Sequence, residues 1–429
     1  MNRAELCHTS YVMRFRRYAM AAAGPVAVAG ANFLVSFSML RLEAPGTFGT
    51  FTFLFAAAMF TVSLSGALFG APMQALQTAD QSSRSAIVAT VVPTATVTAF
   101  VACPVFVLVG LALGLEPFAA IFYGAFGMLT ILRSVGRAWC YVAEQPWRVT
   151  ISDVSYAVVT LGILAVNVGW VHVASERAVY PALAFGMAAA VASLGLGFVT
   201  LLCSPRRVAL RRYAATWQAQ SRWSLLSVTA TEAVANAHIY LLTTLVGAVA
   251  VAPIAASALL VRPINVIQNA LIEYERPQMA RFLETGAMWE VDRSIVLFRV
   301  VLLLVWTVTI IFSGAIVLFR PDLVFPGSYD LATVRLGATL WAAVSLIIVI
   351  QVPNNVLLQA GGDFRELAQA SLWASVVSVP AVLLVIAIAQ PVWTVAAILP
   401  GWLVSTIVVH HGVRDFRRRI HSRTAEGTS

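Results

Sequence analysis

The sequence predicts an all-α protein that crosses a membrane about twelve times, its helices arranged as two lobes of six. Three observations predict this. Of the 429 residues, 60% are hydrophobic and only 11% charged, with a mean hydropathy of +0.84. A soluble domain carries about 25% charged residues, so this chain cannot coat a water-facing surface. Apolar stretches of roughly 20 residues recur along it, the length that crosses a bilayer core about 30 Å thick. Arginines crowd every second gap between those stretches.

The stretches run over 18–40, 48–71, 87–113, 117–135, 150–171, 180–203, 223–246, 249–272, 294–318, 332–353, 367–389 and 391–411. The first follows a basic run with Arg14, Arg16 and Arg17 and contains Ala22-Ala23-Gly24, which mimics a signal peptide. Its apolar segment is longer than a usual signal core and more spans follow, so it reads as an uncleaved first helix. The second to fourth are rich in glycine, and of these only the fourth holds a charge, Arg133 near its end. No gap reaches the size of a folded domain, so the chain is one polytopic unit.

The net charge of +9 does not point to nucleic acid. All 28 basic residues are arginine, and most lie in the N-terminal tail, the even-numbered gaps or the C-terminal tail. By the positive-inside rule both termini are expected to be cytoplasmic. Arg41, Arg177, Arg320 and Arg335 fall on the other side. Cys7, Cys103, Cys140 and Cys203 have no metal-ligand spacing and none falls in an outer loop, so no metal site and no disulfide is expected.

The widest basic gap, 204–222, divides six spans from six. Lobes of 1–205 and 206–429 are expected to flank this cytoplasmic linker, with Val208, Leu210, Tyr213 and Trp217 interleaved among its arginines. Such a segment suits either a helix lying on the inner leaflet or a plain topogenic loop. Short echoes relate the lobes. The segments Leu132–Arg137 and Leu358–Asp363 read as Gly-containing inner turns, and Ala44–Gly49 and Val246–Ala250 open the second and eighth spans. Parallel six-helix repeats are a recurring transporter plan.

Twelve spans, a basic mid-chain gap and the turn Pro45-Gly46-Thr47-Phe48-Gly49 resemble the Wzx-type polysaccharide flippases of the multidrug/oligosaccharidyl-lipid/polysaccharide exporter superfamily. The most similar stretch is Gly247–Ala280, which ends in Pro277-Gln278-Met279-Ala280. It departs from the family's pattern at Ala252-Pro253, where relatives often have glycine followed by an aromatic residue.

The ionisable residues inside spans carry the chemistry. A charge at the bilayer centre costs at least about 2.5–3.5 kcal/mol, so it turns towards protein or a wet cavity. Arg262 lies roughly 15 Å from the inner end of the eighth span at 1.5 Å per residue, too deep for easy snorkelling. Beside it, Pro263 removes a backbone N–H and can kink the helix. Arg262, Asn265, Asn269 and Glu273 recur every three or four residues and share one face. The seventh span carries a matching stripe of Thr229, Glu232, Asn236, Tyr240 and Thr243, with His238 off it.

Two readings stay open. Glu232 and Arg262, at similar depth on consecutive helices, can pair and neutralise each other. Alternatively Arg262 faces a cavity and binds an anion, since guanidinium grips phosphate with two parallel hydrogen bonds. Glu232 or His238 then serves a coupling ion. The resemblance adds that flippases of this kind use cavity arginines for a lipid diphosphate. Asn265, Asn269, Asn236, Tyr240 and Asn32 would contact that substrate. Elsewhere, Asp153 beside Arg148 reads as a solvated interfacial charge ahead of a transport site, Arg299 and Arg335 as snorkelling, Ser36 and Ser38 as helix–helix contacts ahead of cavity lining, and Gly24-Pro25 as a hinge or a static kink.

No phosphate loop, Gly-x-Ser-x-Gly or His-Glu-x-x-His occurs, and without lysine there is no Walker lysine, so neither an enzyme nor a cofactor is expected. The resemblance implies a flippase in the bacterial inner membrane. It would move lipid-linked oligosaccharide outward for exopolysaccharide, O-antigen or capsule assembly, with membrane lipids and polysaccharide polymerase or export machinery as partners. The alternatives are a cation-coupled multidrug antiporter of the same superfamily and, more remotely, a membrane-embedded glycan polymerase or ligase.

Overall fold

A computed structural model of the chain describes residues 3–74, 81–169, 175–202, 213–214 and 217–426, and these hold helices and no strand. The helices before the linker, called the first lobe by their place in the chain alone, are α1 (Arg3–Leu42), α2 (Pro45–Ser65), α3 (Gln81–Ala112), α4 (Pro117–Val142), α5 (Pro146–Gly169) and α6 (Ser175–Ser193). The second lobe holds α7 (Arg222–Leu245), α8 (Ala248–Leu259), α9 (Arg262–Glu284), α10 (Met288–Phe319), α11 (Leu331–Ala360), α12 (Phe364–Ile388) and α13 (Leu399–Glu426). Ten of the described helices are long and apolar enough to cross a membrane unbroken, and two bent helix pairs bring the number to 12. The all-α polytopic architecture is therefore as the composition requires.

Three local expectations need correction. The sixth stretch is not one helix: α6 stops at Ser193 and the chain turns through 107° into Leu196–Leu202. Gly195, at φ +103°, makes that turn, a conformation that side-chain-bearing residues rarely adopt. The eighth is broken as well, α8 and α9 meeting at 61° across Leu260–Val261. Pro263 is not the kink itself. It sits in the first turn of α9, where a missing N–H costs nothing. Thirdly, Leu132–Arg137 is helical, because α4 continues to Val142 and ends only at Glu144, whose φ is +58°. Most of the linker, 203–212 and 215–216, lies outside the described residues. In its described part, Tyr213 Oη donates to the Leu68 carbonyl at 2.5 Å and Ser221 Oγ to the same oxygen at 3.0 Å.

Within the first lobe α4 is central, burying Ala119, Ala120, Gly124 and Gly127 against α3 and α6. In the second lobe α10 faces outward. Its Val296, Val300, Leu304, Val308 and Ile311, spaced by three and four, form an exposed apolar stripe of the kind a bilayer covers. The lobes meet where α2 packs on α8 and α1 on α9. At the end of the bundle that carries the α1–α2 and α7–α8 turns, Gly49 lies against the backbone of Ala248, and a Cβ there would overlap its carbonyl. Nearby, Arg41 Nη1 donates to the Asp322 carbonyl at 2.6 Å.

Asp330 caps α11, accepting from the backbone N–H groups of Ala332 at 3.2 Å and Thr333 at 3.1 Å. The Thr333 hydroxyl and these amides hold the Asp330 carboxyl below its usual pKa. A depressed folded-state pKa stabilises the fold above the unfolded value of about 3.9 and loses that contribution as pH falls through the folded one. Asp330→Asn, which retains an N-cap acceptor, is expected to flatten the fall in melting temperature below about pH 4 while leaving it little changed at pH 7.

Candidate functional site

A cavity of about 370 Å³ lies between the lobes. Ser36 of α1 and Phe48, Phe51 and Phe55 of α2 wall it on one side. Asn236 and His238 of α7, Arg262 and Asn265 of α9, Trp341 of α11 and Trp402 of α13 wall it on the other. The break before α9 accounts for the position of Arg262: it starts a new helix at the middle of the bundle rather than riding on a straight one.

Arg262 and Glu232 do not pair. Arg262 Nη1 donates to Ser36 Oγ at 2.8 Å and to the Asn32 carbonyl at 3.3 Å, and its guanidinium lies 5.9 Å from the centre of the Phe55 ring. It therefore reaches across from the second lobe to the first. No carboxylate among the described residues forms an ion pair with it. Glu232 is occupied along its own helix, where Oε1 accepts from Tyr240 Oη at 2.5 Å and from Asn236 Nδ2 at 2.9 Å. Equal depth in sequence did not mean facing side chains. The α7 stripe is nonetheless real as a bonded cluster, and Tyr240 also meets Phe53 of α2 edge-on at 5.6 Å.

Of the other expected residues, Asn265 lines the cavity and Asn269 stands exposed one turn further along α9. Asn32 turns inward instead: its Oδ1 accepts from Tyr156 Oη at 2.7 Å within the first lobe, and only its backbone meets Arg262. Arg299 does not reach freely for an interface but donates to Asn354 of α11 at 3.2 Å. Arg335 is exposed as expected. The aromatic wall of Phe48, Phe51, Phe55, Trp341 and Trp402 escaped sequence reading, because rings at helical spacing look the same in a core and in a cavity.

Asp153 is the largest correction. It is 1% exposed, and its Oδ1 accepts from both Arg133 and Arg137, a turn apart on α4. Arg133 also donates through Nε to Ser152 Oγ at 3.3 Å and lies 5.3 Å from the centre of the Tyr156 ring. Arg148, its neighbour in sequence, donates to the Leu194 carbonyl instead. Gly24 provides the room, since a Cβ there would come within 2.6 Å of Asp153 Oδ2. One carboxylate thus holds two guanidiniums inside the first lobe.

No protein-family model matches the sequence, and no curated protein does. Solved structures do. A multidrug resistance MATE family transporter of the MOP superfamily superposes in its inward-facing conformation with a TM-score of 0.60, at 13% identity over 94% of this chain and 96% of that one. Its outward-facing conformation gives 0.61, with the same identity and coverage. A eukaryotic MATE transporter gives 0.62 at 14% identity, covering 96% of this chain and 99% of that one. The chain has the MATE fold. These neighbours come from the superfamily to which the sequence resemblance pointed, but from its MATE branch rather than from the polysaccharide flippases.

Proposed function

We propose that the protein is a multi-pass membrane transporter that works by alternating access and exports amphipathic organic molecules, in the manner of a multidrug antiporter. The support is the MATE fold itself, which in the solved neighbours adopts both inward- and outward-facing conformations. The moving bodies would be 1–205 and 206–429, both termini would face the cytoplasm, and the membrane would be the bacterial inner membrane. Aromatic rings would hold the apolar part of the substrate. Glu232, with Asn236 and Tyr240 on its carboxylate, is the candidate site for a coupling cation, with His238 as its rival.

One observation shapes the substrate. Arg262 borders the cavity without a carboxylate partner among the described residues, so the cavity suits an anionic or zwitterionic solute over a simple cation. The same observation supports a second reading, a flippase for lipid-linked oligosaccharide whose diphosphate meets Arg262 and whose polar residues Asn265, Asn269 and Asn236 solvate the sugars. Cells lacking their own efflux pumps test the first reading. Expression is expected to lower the accumulation of amphipathic dyes several-fold, in a manner abolished by collapsing the ion gradient. If no anionic, zwitterionic or cationic dye in the panel is exported, the antiporter reading fails. Inner-leaflet build-up of lipid-linked glycan in a deletion strain would then carry the second.

A further inference from the structure

The second-lobe wall of the cavity carries hydrogen-bonding groups that the fold leaves unused. His238 is 1% exposed, and its ring centre lies 5.4 Å from that of Trp341. Neither ring nitrogen has a hydrogen-bond partner among the described residues. Trp402 Nε1 is buried in the same condition, whereas Trp341 Nε1 donates to the Ile254 carbonyl at 3.2 Å. His238 and Trp402 both line the cavity that Arg262 borders. An unmet buried polar group costs about 1–3 kcal/mol. A phenylalanine would fill either place without that cost, so packing alone does not account for them.

We infer that His238 and Trp402 form, with Arg262, a subsite for an oxyanion head group: a carboxylate, phosphate or sulfonate joined to an apolar body. This rests on reading the cavity as the substrate site. Indole nitrogen only donates, and a neutral imidazole donates through one nitrogen and accepts through the other. Arginine has five donor hydrogens and no acceptor, and here it uses one nitrogen on Ser36 and Asn32. The wall is therefore rich in donors. The acid on α7, Glu232, is engaged by Asn236 and Tyr240. An oxyanion offers several lone pairs to such a wall, with Arg262 giving charge and the two neutral donors giving direction. The aromatic rings around them take the attached apolar body, as is usual where a few polar groups orient a ligand in a mostly apolar pocket.

Two dyes isolate the head group. 8-Anilinonaphthalene-1-sulfonate and N-phenyl-1-naphthylamine share a ring system and differ by one sulfonate. Binding to the purified full-length protein in nanodiscs, with empty discs subtracted, is compared for wild type, His238→Phe and Trp402→Phe. Each variant is expected to weaken the sulfonate about tenfold, or about 1.4 kcal/mol, and to leave the neutral dye within twofold. Equal losses for both dyes would overturn the subsite in favour of packing. No loss for either would overturn it in favour of trapped water. If His238→Phe does not fold, His238→Leu carries the same comparison.

Competition then separates the sources of the oxyanion. Displacement by farnesyl diphosphate but not farnesol assigns the head group to a lipid carrier. Displacement by naphthalene-1-sulfonate but not farnesyl diphosphate assigns it to a free amphiphile. Failure to displace with either overturns the subsite. Export of no dye by cells, with the binding pattern intact, would remove the antiporter reading while leaving the subsite in place.

Discussion

Arg262→Ala is expected to reduce transport of an anionic substrate by about 100-fold and to leave the protein folded. Charge-assisted hydrogen bonds to an oxyanion contribute about 1.5–3 kcal/mol each, and each 1.4 kcal/mol is a factor of ten. Two such bonds from one guanidinium account for that loss. Arg262→Lys keeps the charge but loses the planar fork, so it should fall between the two. The contacts that Arg262 makes to Ser36 and Asn32 offer a competing account, in which the side chain merely ties the lobes together. Ser36→Ala separates them, because it removes the shorter of the two contacts and keeps the charge. Transport by Ser36→Ala should stay within about threefold of wild type. A loss as deep as that of Arg262→Ala would reduce the arginine to a structural strut.

The second large effect is on stability. Asp153→Asn is expected to lower the melting temperature in detergent sharply, because Arg133 and Arg137 would both lose the carboxylate that holds them. Removing one partner of a buried pair costs about 3–5 kcal/mol, chiefly through the charge left unpaired. The triple variant Asp153→Asn, Arg133→Gln, Arg137→Gln should recover much of the loss, since it leaves no orphan charge. Gly24→Ala should also destabilise, by pressing its methyl on Asp153 Oδ2. If Asp153→Asn melts with wild type yet transports nothing, the cluster acts in transport rather than in holding the lobe.

The spans were legible because about 20 apolar residues in a row have one common use. Their breaks were not. Gly195 and Pro263 stand beside the two breaks, but the sequence stays apolar through Leu194–Leu196 and Leu260–Val261, so hydropathy gives no sign of the 107° and 61° bends. Helical spacing correctly put Glu232, Asn236 and Tyr240 on one face, and Arg262 and Asn265 on another. It could not say whether those faces met, because that depends on how α7 and α9 rotate about their own axes. The Asp153 cluster was hidden for a similar reason. Its arginines come from α4, whereas the residue nearest in sequence, Arg148, bonds elsewhere. His238 entered only as a candidate for a coupling ion, since lying off the polar stripe says nothing of what a neighbouring helix offers it.

The contact of Gly49 with the backbone of Ala248 has an evolutionary consequence. Helices α2 and α8 meet there on main chain, with no side chain chosen for chemistry. The residues that line the cavity, from Phe48 to Trp402, can therefore drift in identity without loosening that contact. A library randomised at the cavity aromatics with Gly49 held fixed should yield mostly proteins that still close, differing in cargo. One randomised at Gly49 should yield mostly leaky or jammed ones. Such a division of labour lets a single scaffold acquire new cargoes by few mutations.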